Sequence, residues 1–364
     1  MQLKIISSLS NEFITEIYNR NDEYIIEPFL DPEWINIWWK NIGVKEYDEI
    51  KYFVFFKNDK PKLILPLVTR KLMYLKIVEI AGGKVSDYLS PIFDKKYKFS
   101  EHDLNFIKNE IFKYYNNYDL FFFRKQKKYK DLSNPLLFLD KPILGLHNCY
   151  SIRFDKFSIN KKIKKIFNDN RRQIKKLGNI GEVKFINTFN YDEQKNILDS
   201  MIKQKEERYN QTNVWNMFKF DYYKNFYYDL IKSNFNFLKL HISAIKVDNN
   251  YISTHFGFFD DKTYYYLMPS FDNKNFGTFS GGNILLENLI DYAKSKNIYV
   301  FDFTIGNENY KKKWTNESRE LFEVILSNSF FGKLAKIGVV VIFFLKRINT
   351  IDKLYKKIYK FLNK

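Results

Sequence analysis

At 364 residues the chain exceeds the usual length of one domain, so two units with separate cores are expected, and 45% hydrophobic with 19% aromatic residues excludes a disordered chain. A formal net charge of +18, from 60 Lys and Arg against 42 Asp and Glu, predicts attraction to polyanions such as carrier phosphates, a nucleotide-linked sugar, tRNA or an anionic bilayer face. The single Cys149 excludes an intrachain disulfide and a multi-cysteine metal site and suits a reducing cytoplasm; with the four His it shows no metal-ligand spacing, so no metal is expected.

In chain order, Met1 to Ser10 lacks a charged start followed by an apolar core, so no signal peptide is expected. Asn11 to Asn19 reads as a helix, and Pro32 to Lys40 as a second one, capped by Asp31 with Pro at its first position. Lys51 to Phe56 and Lys62 to Thr69 are β-rich runs joined at Asn58-Asp59, a hairpin signal. A Gly82-Gly83 turn, a loop carrying Asp87 and Tyr88, a helix over Glu101 to Tyr115 and a strand over Asp119 to Phe123 close the first half.

The strongly basic stretch Ile159 to Leu177 predicts a helix ending at Gly178 and places a domain boundary near residue 150. Beyond it the order of elements repeats: a helix over Asp221 to Lys232, strands over Phe237 to Val247, Tyr251 to Phe259 and Thr263 to Met268, then a helix running into a strand from Asn283 to Phe303. That last segment echoes Asn105 to Phe123 in period and order, which predicts two copies of one mixed α/β unit, residues 1–150 and 151–329. The tail, 330–364, mixes apolar residues with Lys at helical spacing. It suits either a helix packed back on the second domain or peripheral docking on an anionic membrane; its most apolar run, Ile337 to Leu345, is far short of the roughly 20 residues that span a bilayer.

The densest group of reactive side chains lies in the run from Asp302 to Trp314, DFTIGNENYKKKW, where the chain leaves a strand through a Gly-containing turn. Ligands bind α/β sheets beyond such strand ends, while the plainer alternative is a solvated turn with a basic surface. Ser280-Gly281-Gly282-Asn283 stands directly before a helix, where bare N–H groups could hold an anion or simply cap the helix. His255 shares a strand face with Ser253 and Gly257, either as a base in a cleft or as a His satisfied within the sheet. Arg208, in the helical stretch KQKEERYN, could fork a carboxylate or phosphate, or could be a surface charge. Asp87 and Tyr88 sit in a loop of the kind that selects substrates, though Asp is also routine in turns.

The pattern Asp302, Phe303, Gly306, Glu308, Tyr310, Lys311 resembles the DF-x-x-G-x-E-x-Y-K signature of the CelD/BcsL family of GNAT-type acetyltransferases, linked to cellulose and other polysaccharide synthesis. The helix with Arg171 and Arg172 followed by Gly181-Glu182-Val183, the run Phe29 to Trp39, and Ser86-Asp87-Tyr88 are similar to further signatures of that family. The resemblance covers roughly residues 8 to 325. It implies a mixed α/β fold of two tandem GNAT-like domains, each a mostly antiparallel sheet flanked by helices, as in Fem-type aminoacyltransferases. It implies acetyl-CoA or another acyl-CoA held at Ser280 to Asn283, although the usual GNAT loop signature is absent there. It further implies Lys311 as the cation near developing charge, Glu308 or Asp302 as base, Tyr310 as proton donor, and Asp87 and Tyr88 on the acceptor side, facing the second domain's site. The leading expectation is therefore an acyl-CoA-dependent N- or O-acyltransferase acting on a sugar or lipid-linked precursor of envelope polysaccharide. A Fem-like transferase using aminoacyl-tRNA, and a non-catalytic adaptor of a polysaccharide synthase, are the alternatives.

Overall fold

The computed structural model describes residues 1–9, 13, 15–17, 20, 22–130, 132–235 and 237–347; most of the expected helix over Asn11 to Asn19, and the tail beyond residue 347, lie outside them. The chain divides into two units, Met1–Asn148 with Glu320–Lys364, and Cys149–Arg319.

The first unit contains β1 (Gln2–Ile6), β2 (Tyr24–Ile25), α1 (Pro32–Trp38), β3 (Glu49–Lys57), β4 (Lys60–Leu72), β5 (Leu75–Ile80), β6 (Ile92–Asp94), α2 (Glu101–Tyr114) and β7 (Leu120–Lys127). The Asp31 side chain accepts the Glu33 N–H at 2.8 Å and caps α1, as its sequence position before Pro32 predicts. Asn58 and Asp59 both take positive φ, the geometry that turns β3 tightly into β4. Strands β1, β3, β4 and β5 pair antiparallel in that order, and β5 pairs parallel with β7 across the crossover helix α2. Strand β7 pairs antiparallel with a strand from the far end of the chain, Glu317–Ser327.

The second unit repeats this pattern. After β8 (Ile143–Arg153) come α3 (Lys161–Gly178), β9 (Val183–Thr188), α4 (Tyr191–Thr212), α5 (Asp221–Lys232), β10 (Lys239–Val247), β11 (Asn250–Phe259), β12 (Thr263–Phe271), α6 (Gly281–Ser295), β13 (Val300–Ile305) and β14 (Glu317–Ser327). Strands β9 to β12 pair antiparallel in order, and β12 pairs parallel with β13 across α6. Strand β13 pairs antiparallel with residues 149–153 of β8. The two segments that echo one another in sequence are thus the same crossover, α2 into β7 and α6 into β13. Each crossover strand takes a further antiparallel neighbour from outside its own run: β7 pairs with β14, and β13 with residues 149–153 of β8.

The core of the second unit is aromatic. Phe301, Phe303 and Tyr264 have no exposed side-chain surface, and Tyr264 stacks on Phe301 at 4.9 Å. Helix α3 buries Ile163 and Leu177 and turns its basic face outward, and its Asn170 donates to the Asn283 carbonyl and the Glu287 carboxylate of α6. Helix α7 (Phe330–Arg347) packs on Ile77, Leu120 and Ile325 of the first unit, where the sequence suggested packing on the second domain. No helix among the described residues is long and apolar enough to cross a membrane. Phe301→Ala removes a ring from the centre of the second core and is expected to cost about 3–5 kcal/mol, read as a lowered urea midpoint.

Candidate active site

Strands β12 and β13 stay paired for only three residues, Thr263 to Tyr265 against Val300 to Asp302. Both then depart from regular geometry. On β12, Tyr266 and Leu267 together oppose the single residue Gly257; on β13, Phe303 and Thr304 oppose Tyr150. Such bulges bend a strand and re-aim its side chains. Thr304 carries the bend with a φ of 56°, a costly conformation for a β-branched residue, and its N–H is held by the Asp302 carboxylate at 2.7 Å. A cleft of about 630 Å³ lies between the parted strands, within the size range of small-molecule sites. Its walls are Tyr266, Leu267 and Pro269 to Phe271 of β12, Ile305 of β13, the turn with Glu308, Tyr310 and Lys311, the start of α6, and Lys205, Arg208, Tyr209 and Thr212 of α4.

The start of α6 is uncapped. Ser280 sits in the left-handed region (φ 54°), and its side chain accepts none of the first-turn N–H groups. The Asn283 and Ile284 N–H groups reach the Ser280 carbonyl, while Gly281 and Gly282, one step earlier, have no intrahelical acceptor by the geometry of any helix start. Neither position needs glycine for packing: a Cβ on Gly282 would meet only Phe271 at 3.7 Å, and one on Gly281 would meet Ser253 at 3.4 Å. What glycine provides here is unobstructed backbone facing the cleft, which suits an anion.

At the opposite wall the turn after β13 is tied by Lys311. Its ammonium, on a side chain only 5% exposed, donates to the Ile305 carbonyl at 2.8 Å and meets the Glu308 carboxylate at 3.1 Å. Gly306 makes this possible: its φ is 141°, and a Cβ there would lie 2.2 Å from Glu308 Oε2 and 2.7 Å from Lys311 Nζ. The spacing Gly306, Glu308, Lys311 is therefore one closed turn, anchored behind by the buried Trp314 against Phe167. Burial and the nearby Glu308 raise the Tyr310 phenol above its ordinary range, so it keeps its proton.

Helix α4 is keyed to the sheet by Gln204, which donates to the Tyr251 carbonyl and accepts from Thr254. The next residue, Lys205, lines the cleft. Burial, then the charges of Arg208 and Lys311, push its ammonium down to about 7, with Glu308 opposing. The sequence points to Arg208 but not to Lys205, three residues earlier on the same helical face. The i, i+3 spacing of Lys205 and Arg208, with Thr212 one turn on, was the available signal.

The structure thus gathers Glu308, Tyr310, Lys311, Arg208 and Ser280 to Asn283 around one cleft. Asp302 and His255 are not in its lining. The Asp302 carboxylate faces the backbone of its own bulge, and its expected role as base gives way to one in shaping β13. His255 is fully buried; its ring stacks on Tyr266 at 4.7 Å, and its Nδ1 lies 3.4 Å from the Tyr264 hydroxyl. That hydroxyl also meets Nδ1 of His241, whose Nε2 lies 2.6 Å from Asn187 Oδ1. Burial holds both rings neutral, His241 at about 3 and His255 well below the ordinary value. Of the alternatives for His255, a His within the sheet is the one observed. In the first unit Tyr88 is buried, with Phe29 at its edge and the Lys127 ammonium 3.4 Å from its ring centre, while Asp87 is half-buried. Arg171 and Arg172 lie on the exposed side of α3. Among the described residues no cluster of His, Cys, Asp and Glu is arranged to hold a metal ion.

Residues 164–312, which supply most of this cleft and its supports, match the family model of the acetyltransferase (GNAT) domain. The chain carries a GNAT-type acetyltransferase domain and is an acyltransferase. Among solved structures it is similar in fold to FemX (TM-score 0.60, 11% identity, covering 92% of this chain and 99% of that one). It is similar also to a conserved protein of unknown function from Bacteroides thetaiotaomicron (0.58, 11%, 89% and 100%). A third is the C-terminal domain of a putative lysylphosphatidylglycerol synthetase from Agrobacterium fabrum (0.50, 9%, 80% and 87%). At these identities the likeness is one of fold. None of the curated proteins matches the chain.

The buried histidines give the second unit a defined acid sensitivity. Their folded pKa values lie below the unfolded 6.5, so the unfolded chain binds protons first and stability falls as pH drops from about 6.5 towards 3. His241→Gln, which keeps a hydrogen-bonding side chain without a titrating ring, is expected to flatten that part of a plot of melting temperature against pH.

Proposed function

We propose that the chain transfers an acyl group from acyl-CoA to an amine or hydroxyl of a sugar or lipid-linked precursor of envelope polysaccharide. The observation that carries the acyl-CoA reading is the start of α6, two glycines with open first-turn N–H groups facing the same cleft as Lys205, Tyr310 and Lys311. A carrier pyrophosphate suits those N–H groups and the positive end of the helix. The precursor class rests on the resemblance of Asp302 to Lys311 to the CelD/BcsL signature.

In this reading Lys205 is the general base. An amine poised near 7 is neutral in a large share of molecules at physiological pH and takes the proton of the attacking amine or hydroxyl. Tyr310, protonated throughout, donates to the departing sulfur, and Lys311 places fixed positive charge where negative charge develops. Arg208, exposed at the cleft, offers a fork for an anionic group on either substrate.

The second reading, a Fem-like transfer from aminoacyl-tRNA, is favoured by the net charge of +18, since tRNA binding is dominated by phosphate contacts. Calorimetric titration with acetyl-CoA separates the two. Saturable binding that Gly282→Asp abolishes is expected, because the new carboxylate fits the space beside Phe271 and repels an anion. Absence of acetyl-CoA binding, together with salt-sensitive retention of aminoacyl-tRNA, would replace the first reading by the second.

Two kinetic outcomes follow for thiol release from acetyl-CoA with an amino-sugar acceptor. Because the active form of Lys205 is the neutral amine, the rate is expected to rise with pH through about 7, and Lys205→Met to lose that limb without loss of melting temperature. Lys311→Ala is expected to lower kcat by about 10²- to 10³-fold, the range for losing one oxyanion-stabilising group.

A further inference from the structure

Helix α7 of the first unit has two apolar faces, and among the described residues only one of them is covered. Helix α7 is firmly seated. Ser329 accepts the Gly332 N–H and donates to the Asp119 carboxylate, and Lys336 meets Asp140 at 2.7 Å. Ala335 and Val339 pack on the small core of Ile77, Leu120 and Ile325, and Phe343 lies against Phe122. Gly332 lets the helix approach so closely that a Cβ there would sit 1.9 Å from the Asp119 carbonyl oxygen. The opposite face carries Phe330, Leu334, Ile337, Val341 and Phe344, spaced four, three, four and three residues apart, and between 47% and 70% exposed. A stripe of that spacing normally covers a core. Here the inner face already does so, and the stripe faces solvent.

A second element adds to it. The turn between β4 and β5 projects Leu72, Met73 and Tyr74, exposed by 52%, 88% and 96%. Leu75, the next residue, packs on the same small core as Ala335 and Val339, which sets the turn beside α7. Lys71 and Lys76 flank this apolar tip. From Phe330 to the last residue the chain carries nine Lys and Arg and the single acid Asp352.

Exposed apolar side chains on two neighbouring elements, with Lys71, Lys76, Lys333, Lys346 and Arg347 in the same segments, match a lipid surface with negative headgroups. The apolar residues enter the acyl boundary, and the Lys and Arg beside them are drawn to its negative surface potential. A protein partner of this apolar character would not account for the one-sided charge. We propose that the first unit docks on an anionic bilayer surface through the outer stripe of α7 and the tip Leu72–Tyr74.

The test is flotation of the full chain with vesicles of phosphatidylcholine alone and of equimolar phosphatidylcholine and phosphatidylglycerol, at low and high salt. The wild type is expected to float with the anionic vesicles, less at high salt, and to stay behind with the neutral ones. Phe330→Ser/Ile337→Ser/Phe344→Ser, altering only exposed positions, is expected to lose binding by at least about tenfold with an unchanged melting temperature. Should that variant fold poorly, Met73→Ser/Tyr74→Ser at the turn, away from the helix, decides in its place. No flotation of the wild type, or undiminished flotation of a folded variant, overturns the proposal. So does a wild-type dimer in light scattering that the helix variant converts to monomer, since a second copy would then be what covers the stripe. Acetyl-CoA binding is independent of all these outcomes.

Discussion

Everything in the second unit that bears on chemistry depends on the parting of β12 from β13 after Tyr265 and Asp302. Two parallel strands that stayed in register would bury their facing backbone groups in one another and leave no room for a ligand. The parting exposes backbone and must be held open by something local. On β13 that is the Asp302 carboxylate clasping the Thr304 N–H, which keeps a β-branched residue at a φ of 56° at a cost on the order of 1–3 kcal/mol. Gly306 then turns the chain, and Lys311 closes the turn onto Ile305 and Glu308. The acid of the signature thus shapes the strand, the glycine admits the ion pair, and the lysine locks it.

A strained opening needs a stiff floor. Tyr264 lies parallel to Phe301, His255 to Tyr266, and His241 to Tyr292, with interplanar angles of 5° to 7°. Stacked rings resist the sliding that would re-pair the strands, and the chain of His241, Tyr264 and Asn187 satisfies polar atoms that burial would otherwise strand. His255 has the least secure place in this network, since its Nε2 has no partner among the described residues. Both rings stay neutral, so the floor carries no charge that would compete with the cations lining the cleft above it.

Much of the architecture was legible because it rests on local chemistry. Asp31 before Pro32, Asn58-Asp59 between apolar runs and the 221–232 helix need only neighbours in sequence, and the repeated crossover shows in the period of residues 105–123 and 283–303. The pairing of β7 with β14 and of β13 with β8 was not legible. The sequence singles out neither 149–153 nor 317–327 as a strand, and nothing near them in the chain says which strand each will pair with. The cleft was partly legible. A conspicuous run such as Asp302 to Trp314 advertises itself, but whether a carboxylate faces solvent or its own backbone depends on a single positive φ that no spacing encodes.

Lys205 marks the deeper limit. As a residue type in a stretch rich in Lys and Glu it is unremarked, since each charge there reads as a solvated helical face. Its chemistry arises from three elements that meet only in the fold. Gln204 fixes the rotation of α4 on β11, the turn after β13 delivers Lys311 and Glu308, and the parted strands supply a cavity dry enough to oppose a charge yet open to a substrate. Remove any one and the amine returns towards the behaviour of a surface lysine. Burial first, then the charges of Arg208 and Lys311, lower the pKa of the Lys205 ammonium, with Glu308 opposing. In the proposed transfer, this leaves Lys205 to serve as base while Ile305 and Glu308 tie Lys311 into the turn.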